Sequence, residues 1–381
     1  MDFALNPEQT MWQNVVRDFC QNELKPRAAQ TDHEGKLPMD VIKKMAPLGL
    51  LSLAVPEQDG GPGLDTVSAA IAIEEIGRAC GSTALSVAAH NGLCVAPLVN
   101  FGTPAQKDRF LPVLTSGDYL GALALTEPGA GSDLTGGVQT TASLDGDEWV
   151  INGSKAWITN PSVAPLIITL CRSEAGEGSG GFNHLIVPTD TPGLTINPPE
   201  KKMGLKGSPT HMLSFDNVRV PRENLLGEPG RGLHQALATL DGGRITIGAM
   251  AVGLAQAALD EGVSYAQERE TFGRPIAQHQ AIQWMIADTS TEIEAARLLV
   301  YQAAWLKDQG KDFKKQAAMA KLFASETAER AAFKAIQIHG GYGYSAEFPV
   351  ERIYRDQRLL TIGEGTSEIL RIVISRRVLG A

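Results

Sequence analysis

Little in this chain of 381 residues is aromatic (6%), and cysteine is rarer, at four residues. Cys20, Cys80, Cys94 and Cys171 are scattered with no C-x-x-C pair. That argues against a disulfide framework or a zinc site and fits reduced, buried thiols of a cytosol-like compartment. The seven histidines show no metal-ligand spacing, so no metal is expected. Positive charge is short: 34 Lys and Arg face 43 Asp and Glu, for a net charge of −9. No nucleic-acid surface is expected from such a balance. Met1-Asp2-Phe3-Ala4-Leu5 has neither a basic nor an apolar targeting region. The longest uncharged run, 79–106, is broken by His90, Asn91, Pro97 and Pro104, so no membrane insertion is expected. There is no G-x-G-x-x-G after a strand, no P-loop, no G-x-S-x-G elbow and no H-E-x-x-H. The expectation is a soluble, cytoplasmic protein in which any cofactor is held by a less generic cradle.

Glycine is plentiful, at 40 residues, so the backbone must often turn sharply or lie close to something. The length predicts two or three domains. Up to residue 122 the apolar spacing is helical. Asn6-Pro7 opens a helix with a capping residue and a proline at the first helical position. Further helices are predicted over 37–48, 66–77 and 106–115. From 123 the period shortens. Val138–Ser143 and Glu148–Ile151 flank Asp145-Gly146 as a hairpin. Strands follow at 166–171, 184–187 and 212–215, with a Gly/Ser-rich loop at 174–181. From 230 the helical period returns over 233–269, 280–307, 313–339 and 366–379. The predicted fold is α+β: an N-terminal helical domain (1–122), a middle β-barrel or sandwich domain (123–229) and a C-terminal four-helix bundle (230–381).

Several short motifs carry possible chemistry. Thr126-Glu127-Pro128-Gly129-Ala130-Gly131-Ser132-Asp133 offers backbone N–H groups and hydroxyls to an anion such as a pyrophosphate. Equally it is a tight interdomain loop. Trp157 and Thr159, two apart, place an aromatic plane and a donor on one strand face, though a core tryptophan would read the same way. Arg269-Glu270-Thr271-Phe272-Gly273-Arg274-Pro275 could hold phosphate oxygens or be a solvated loop. Gln337-Ile338-His339-Gly340-Gly341 ends a helix, where His339 reads as a cap or packing residue. Asp241-Gly242-Gly243-Arg244 puts two glycines inside a helical pattern. Either the helix starts at Arg244 or something passes close by. Gly363-Glu364-Gly365-Thr366-Ser367-Glu368 sets a carboxylate between glycines before a helix. The helix dipole favours its ionised form and burial opposes it, which can place a general base near neutrality; a solvated loop glutamate is the alternative.

In their order, TEPGAGSD, AWITN, LDGGR, ERETFGRP, QIHGG and GEGTSE resemble the acyl-CoA dehydrogenase family over essentially the whole chain. That resemblance implies FAD as cofactor and oxidation of an acyl-CoA thioester to the trans-2-enoyl-CoA. It implies that Glu364 removes the α-proton while the β-hydride passes to the flavin. The thioester carbonyl would accept hydrogen bonds from the Glu364 N–H and a ribityl hydroxyl. Leu125, Thr126, Gly131, Ser132, Trp157, Ile158 and Thr159 match flavin-contacting positions, and so do Thr366 and Glu368. Arg269, Thr271, Phe272, Gln280, Gln337, Gly340 and Gly341 match positions that reach FAD from a neighbouring subunit, which implies a homotetramer built as a dimer of dimers. Ser132, Asp241, Arg244 and Gly365 match positions on the substrate side. An electron-transfer flavoprotein would take the electrons. An oxidase using O₂ and a non-catalytic flavin-binding assembly protein are the competing readings.

Two departures matter. Some members place the base on the bundle helix, where this chain has Gly243. Short- and medium-chain members carry Tyr just before the base, where this chain has Gly363. The missing ring predicts tolerance of a branched, cyclic or bulky acyl group, with the region 85–98 expected to line the acyl chain.

Overall fold

A computed structural model describes residues 3–173 and 181–380. The expected Gly/Ser-rich loop at 174–181 lies, but for Gly181, outside the described residues. The chain begins with helices α1 (Pro7–Phe19), α2 (Ala28–Glu34), α3 (Met39–Met45), α4 (Thr66–Ala79), α5 (Gly81–Ala89), α6 (Ala96–Phe101) and α7 (Pro104–Thr115). Strand β1 (Ala122–Ala124) and the short α8 (Leu134–Gly137) lead into β2 (Thr141–Asp145), β3 (Glu148–Thr159), β4 (Leu166–Ser173), β5 (Phe182–Pro188), β6 (Leu194–Pro199) and β7 (Thr210–Pro221). The last part holds α9 (Gly232–Glu268), the two-strand hairpin β8 (Glu270–Thr271) and β9 (Arg274–Pro275), then α10 (Gln280–Asp308), α11 (Lys314–His339), α12 (Pro349–Gln357) and α13 (Ser367–Leu379).

The helices begin where local chemistry lets them. Asn6 and Gln9 form a reciprocal capping box at α1, and Thr103 and Gln106 form another at α7, each with proline in the first turn. Asp308, the last residue of α10, accepts the N–H groups of Thr66 and Val67, joining the two ends across 242 residues of sequence. The run 79–106 is not broken as expected. Helix continues from Gly81 to Phe101 through a π-helical segment, His90–Val95, just before Pro97. A widened turn accommodates a proline ring that would collide with a regular α-helical carbonyl. By length and composition this is the one described helix that could cross a membrane, but 67% of its apolar window is buried in the protein. It behaves as a core helix.

The middle strands form a seven-stranded sheet, ordered β1-β4-β2-β3-β7-β6 with β5 on the other side of β4. The expected hairpin at Asp145 is present, with Asp145 paired to Glu148 and Gly146 in the left-handed region. Its first strand begins three residues later than predicted. Strands β1 and β6 and helix α12 have no prediction, being too short or too polar for a periodic signal. Helix α9 carries the core between the two helical parts. It is buried on most sides, as a helix apolar all round must be. It crosses α4 so closely that a Cβ at Gly253 would lie 2.2 Å from the Glu74 carbonyl, and one at Gly77 would lie 2.9 Å from that of Met250.

Candidate active site

Glu364 sits in the turn before α13, with φ +52, followed by Gly365 at φ +95. A non-glycine residue held in that region costs about 1–3 kcal/mol, so the surroundings must impose it. Thr366 caps α13 by accepting the N–H of Ile369 at 3.3 Å. The Glu364 side chain turns inward. Its Oε2 atom is buried without a protein hydrogen-bond partner, although the residue as a whole is only half-buried. The carboxylate lies on Gly243, where a Cβ would stand 2.7 Å from Oε2. This accounts for the double glycine in α9. The helix does not restart at Arg244; it runs unbroken from Gly232 to Glu268, and what passes close by is Glu364. Burial pushes the Glu364 carboxyl up to about 7, against the pull of Lys321 and Arg244. Its backbone N–H gives no hydrogen bond to any described residue. Arg244 is buried, bonds Asp241 at 2.6 Å and leaves its own Nε unpartnered.

The loop after β1 is clipped to strand β3. Lys155, fully buried, donates to Glu127 Oε1 at 2.8 Å and to the Leu125 carbonyl at 3.1 Å. Glu127 also accepts the N–H groups of Gln139 (2.7 Å) and Thr140 (3.0 Å). Ala156 N–H closes on the Thr126 carbonyl at 2.9 Å, and residues 127 and 130 exchange both backbone bonds. Beyond this clip the loop opens. Gly129 and Gly131 have nothing within 4 Å of where a Cβ would be, and Ser132 is exposed. Among the described residues neither Gly131 nor Ser132 gives its N–H to a protein acceptor.

On β3 the alternation is not regular, as the expected Trp157/Thr159 face would require. A bulge between Lys155 and Ile158 buries Lys155 and Ala156 in succession and turns Trp157 outward at φ +60, 61% exposed. Thr159 is half-buried, while the Leu125 and Ile158 side chains belong to the core. Only backbone is left there to face a ligand. Free N–H donors, an exposed hydroxyl and an exposed indole suit an anionic, flat-ringed cofactor such as FAD.

A second group assembles elsewhere. Arg269, Thr271, Gly340 and Gly341 line one cleft of about 440 Å³ with Tyr265, Ile276 and Tyr342. The expected charged loop is the β8–β9 hairpin, whose turn residues Phe272 and Gly273 both have positive φ. Phe272 is 96% exposed at its tip. Gln280 starts α10 and Gln337 lies in the last turn of α11, both exposed. His339 is a packing residue, stacked on Tyr265 at 4.2 Å with its Nδ1 on the Ala335 carbonyl. Thr366 and Glu368 line a further cleft of about 410 Å³ with Arg358 and Arg371. Sequence reading missed the Lys155–Glu127 clip and Lys321. The available signal for Lys321 was a lysine at the spacing of Ala317, Ala324 and Ala328, on the buried stripe of α11.

A helical front, a middle sheet and a helical bundle around a buried carboxylate define the class, and comparison with known proteins specifies it. The acyl-CoA dehydrogenase N-terminal, middle and C-terminal domain models match residues 6–118, 122–218 and 230–379. The chain is 54% identical to the probable acyl-CoA dehydrogenase YngJ of Bacillus subtilis (strain 168), over all of both chains. It is 48% identical to the mitochondrial short-chain specific acyl-CoA dehydrogenase of Homo sapiens, covering 96% of this chain and 88% of that protein. Among solved structures, butyryl-CoA dehydrogenase from Megasphaera elsdenii superposes at a TM-score of 0.96 with 41% identity over all of both chains. A chain in the structure of the electron transferring flavoprotein of Acidaminococcus fermentans gives 0.97 and 41%, again over all of both chains. An acyl-CoA dehydrogenase complexed with FAD from Bacillus anthracis gives 0.92 and 36%, covering 99% of this chain and 68% of that one. The chain belongs to the acyl-CoA dehydrogenase family of oxidoreductases. Within that family it is similar to the short-chain members.

Proposed function

We propose that this protein oxidises an acyl-CoA thioester to the trans-2-enoyl-CoA, with Glu364 as the base that removes the α-proton. The observation that carries this reading is the Glu364 carboxylate, whose Oε2 is buried and unpartnered and which ionises near neutrality. Such a group exchanges a proton with a bound molecule because no protein donor competes for it. The free Glu364 N–H would bond the thioester carbonyl and stabilise charge as the proton leaves. FAD, when bound, supplies the two-electron acceptor for the β-hydride. Thr126, Gly131 and Ser132 would hold its pyrophosphate side, and Trp157 and Thr159 would flank its ring. Backbone at Leu125 and Ile158 adds to that wall, and Thr366 and Glu368 contribute beside it.

Arg269, Thr271, Phe272, Gln280, Gln337, Gly340 and Gly341 would reach the FAD of a neighbouring subunit, and the fully exposed Phe272 supports a homotetramer. Similarity to a chain solved in an electron transferring flavoprotein structure supports a partner of that kind. Ser132, Asp241, Arg244 and Gly365 would lie along the CoA thioester.

The acyl group on this reading is short, or branched or cyclic. Around Glu364 the walls are glycine: Gly243 beneath it, Gly363 before it, and Gly92 within 3.9 Å of the Gly243 Cα as measured from a built Cβ. The nearest atoms to a Cβ at Gly363 are those of Leu359, at 3.6 Å, an ordinary contact, which supports room for a bulkier acyl group there. Anaerobic bleaching of the yellow protein with butyryl-, 2-methyl-branched and cyclic acyl-CoAs tests both statements. A Glu364→Gln protein should stay yellow and not bleach; normal bleaching refutes the base assignment. A strong preference for straight short chains refutes the substrate assignment, and peroxide formation under air would mark an oxidase instead.

A further inference from the structure

Lys321 is fully buried on the core side of α11, in a stretch whose buried neighbours are Ala317, Ala318, Ala320 and Ala324. Its own helix gives it no acceptor. Instead Nζ crosses to the turn before α13 and donates to the Gly365 carbonyl at 2.7 Å. That carbonyl belongs to the two-residue left-handed turn that directs Glu364 inward. A lysine is costly to bury, and here its ammonium serves a single backbone oxygen.

The charges around Glu364 are few. From α9 comes Arg244, already committed to Asp241 at 2.6 Å, with Lys314 on the other Asp241 oxygen at 3.5 Å. From α11 comes Lys321, and the acids that act on Lys321 are Glu364 and, from α13, Glu368. Among the described residues Lys321 forms no ion pair, whereas Arg244 is paired with Asp241.

We propose that Lys321 is the positioning residue of the base: it pins the Gly365 carbonyl so that Glu364 faces Gly243, and its charge favours the ionised form of the carboxylate. The proposal rests on the reading of Glu364 as the base. Burial pushes the Lys321 amine down to about 8, so the cation persists at neutral pH, where Glu364 is half-ionised. A lysine acting through charge leaves a signature in pH that a packing residue does not.

The test uses the flavin-loaded protein and three variants: Lys321→Met, Lys321→Gln and Lys321→Arg. In each background, the pH dependence of the stability difference from its Glu364→Gln derivative gives the carboxyl midpoint without turnover. We expect Met and Gln to raise that midpoint by about one unit or more, and Arg to restore it. The acid limb of reduction by acyl-CoA should move by the same amount. Glutamine can still donate to the Gly365 carbonyl, so it should keep more stability than methionine while showing the same shift. An unmoved midpoint in the Gln variant, whether or not the Met variant folds, overturns the proposal and leaves Lys321 a structural residue. If Glu364→Gln alone is reduced by acyl-CoA at the parent's rate, the base assignment fails, while the effect of Lys321 on the carboxyl midpoint remains readable.

Discussion

Two buried glutamates in this protein sit beside buried lysines and behave in opposite ways. Glu127 accepts Lys155 and two backbone N–H groups. Burial works against its charge, but Lys155 and those donors outweigh it, and the carboxyl lies below its ordinary range. Glu364 has Lys321 near it but not bonded to it, and no donor on Oε2. There burial prevails and the carboxyl rises to about 7. The difference separates a clip from a base. A carboxylate with donors on both oxygens holds two segments together; one with a buried oxygen left unpaired can take a proton.

The comparison can be broken by exchanging what each pair should lose. Glu364→Gln should lower the rate of flavin reduction by acyl-CoA by about 10²–10⁴, the span of general-base catalysis, and keep the flavin spectrum. Stopped-flow reduction measures it. Lys155→Met should instead cost about 3–5 kcal/mol of stability, since it leaves Glu127 charged and unpaired inside the protein. Thermal unfolding should register that loss, together with lower flavin occupancy of the purified protein. A Lys155→Met protein as stable as the parent would erase the distinction.

Two smaller effects follow from the unpaired Glu364 oxygen. A carboxyl with a higher midpoint folded than unfolded holds its proton better in the native state. Its contribution to stability is therefore full at low pH and is lost as pH rises from about 4.5 to about 7. Glu364→Gln should thus gain stability over the parent across that window, by at most about 3 kcal/mol above pH 7 and by almost nothing below pH 4. Comparison of Tm at matched flavin content decides it. Gly243→Ala should have the mildest effect, about tenfold in rate, because its methyl would meet Oε2 at 2.7 Å and turn the carboxylate aside. Unchanged kinetics in that variant would place the working carboxylate elsewhere.

Much of the architecture was legible because its signals are local. The Asn6 cap, the Asp145 hairpin and the helices at 233–269, 280–307, 313–339 and 366–379 follow from spacing and turn chemistry, and the structure places them within a few residues. The readings that differed involve neighbours distant in sequence. The double glycine in α9 left a helix start and a close approach equally open, because the carboxylate resting on it comes from residue 364. The run 79–106 looked interrupted because a π-turn, not visible as a period, absorbs Pro97. The hairpin at 270–275 was hidden by its length, and the Trp157 bulge by an alternation that is correct on either side of it.

By itself the sequence determined the order helix, sheet, helix, and which segments carry unusual residues, among them Glu364 between its glycines. Periodicity and capping act within a turn or two of chain, so they survive without a fold. Packing of distant segments sets one oxygen of Glu364 out of solvent, makes Gly243 its floor, and ties Lys321 to the Gly365 carbonyl while Arg244 pairs with Asp241. Desolvation and charge are properties of a place, and that place exists only once α9, α11 and the turn before α13 have packed together.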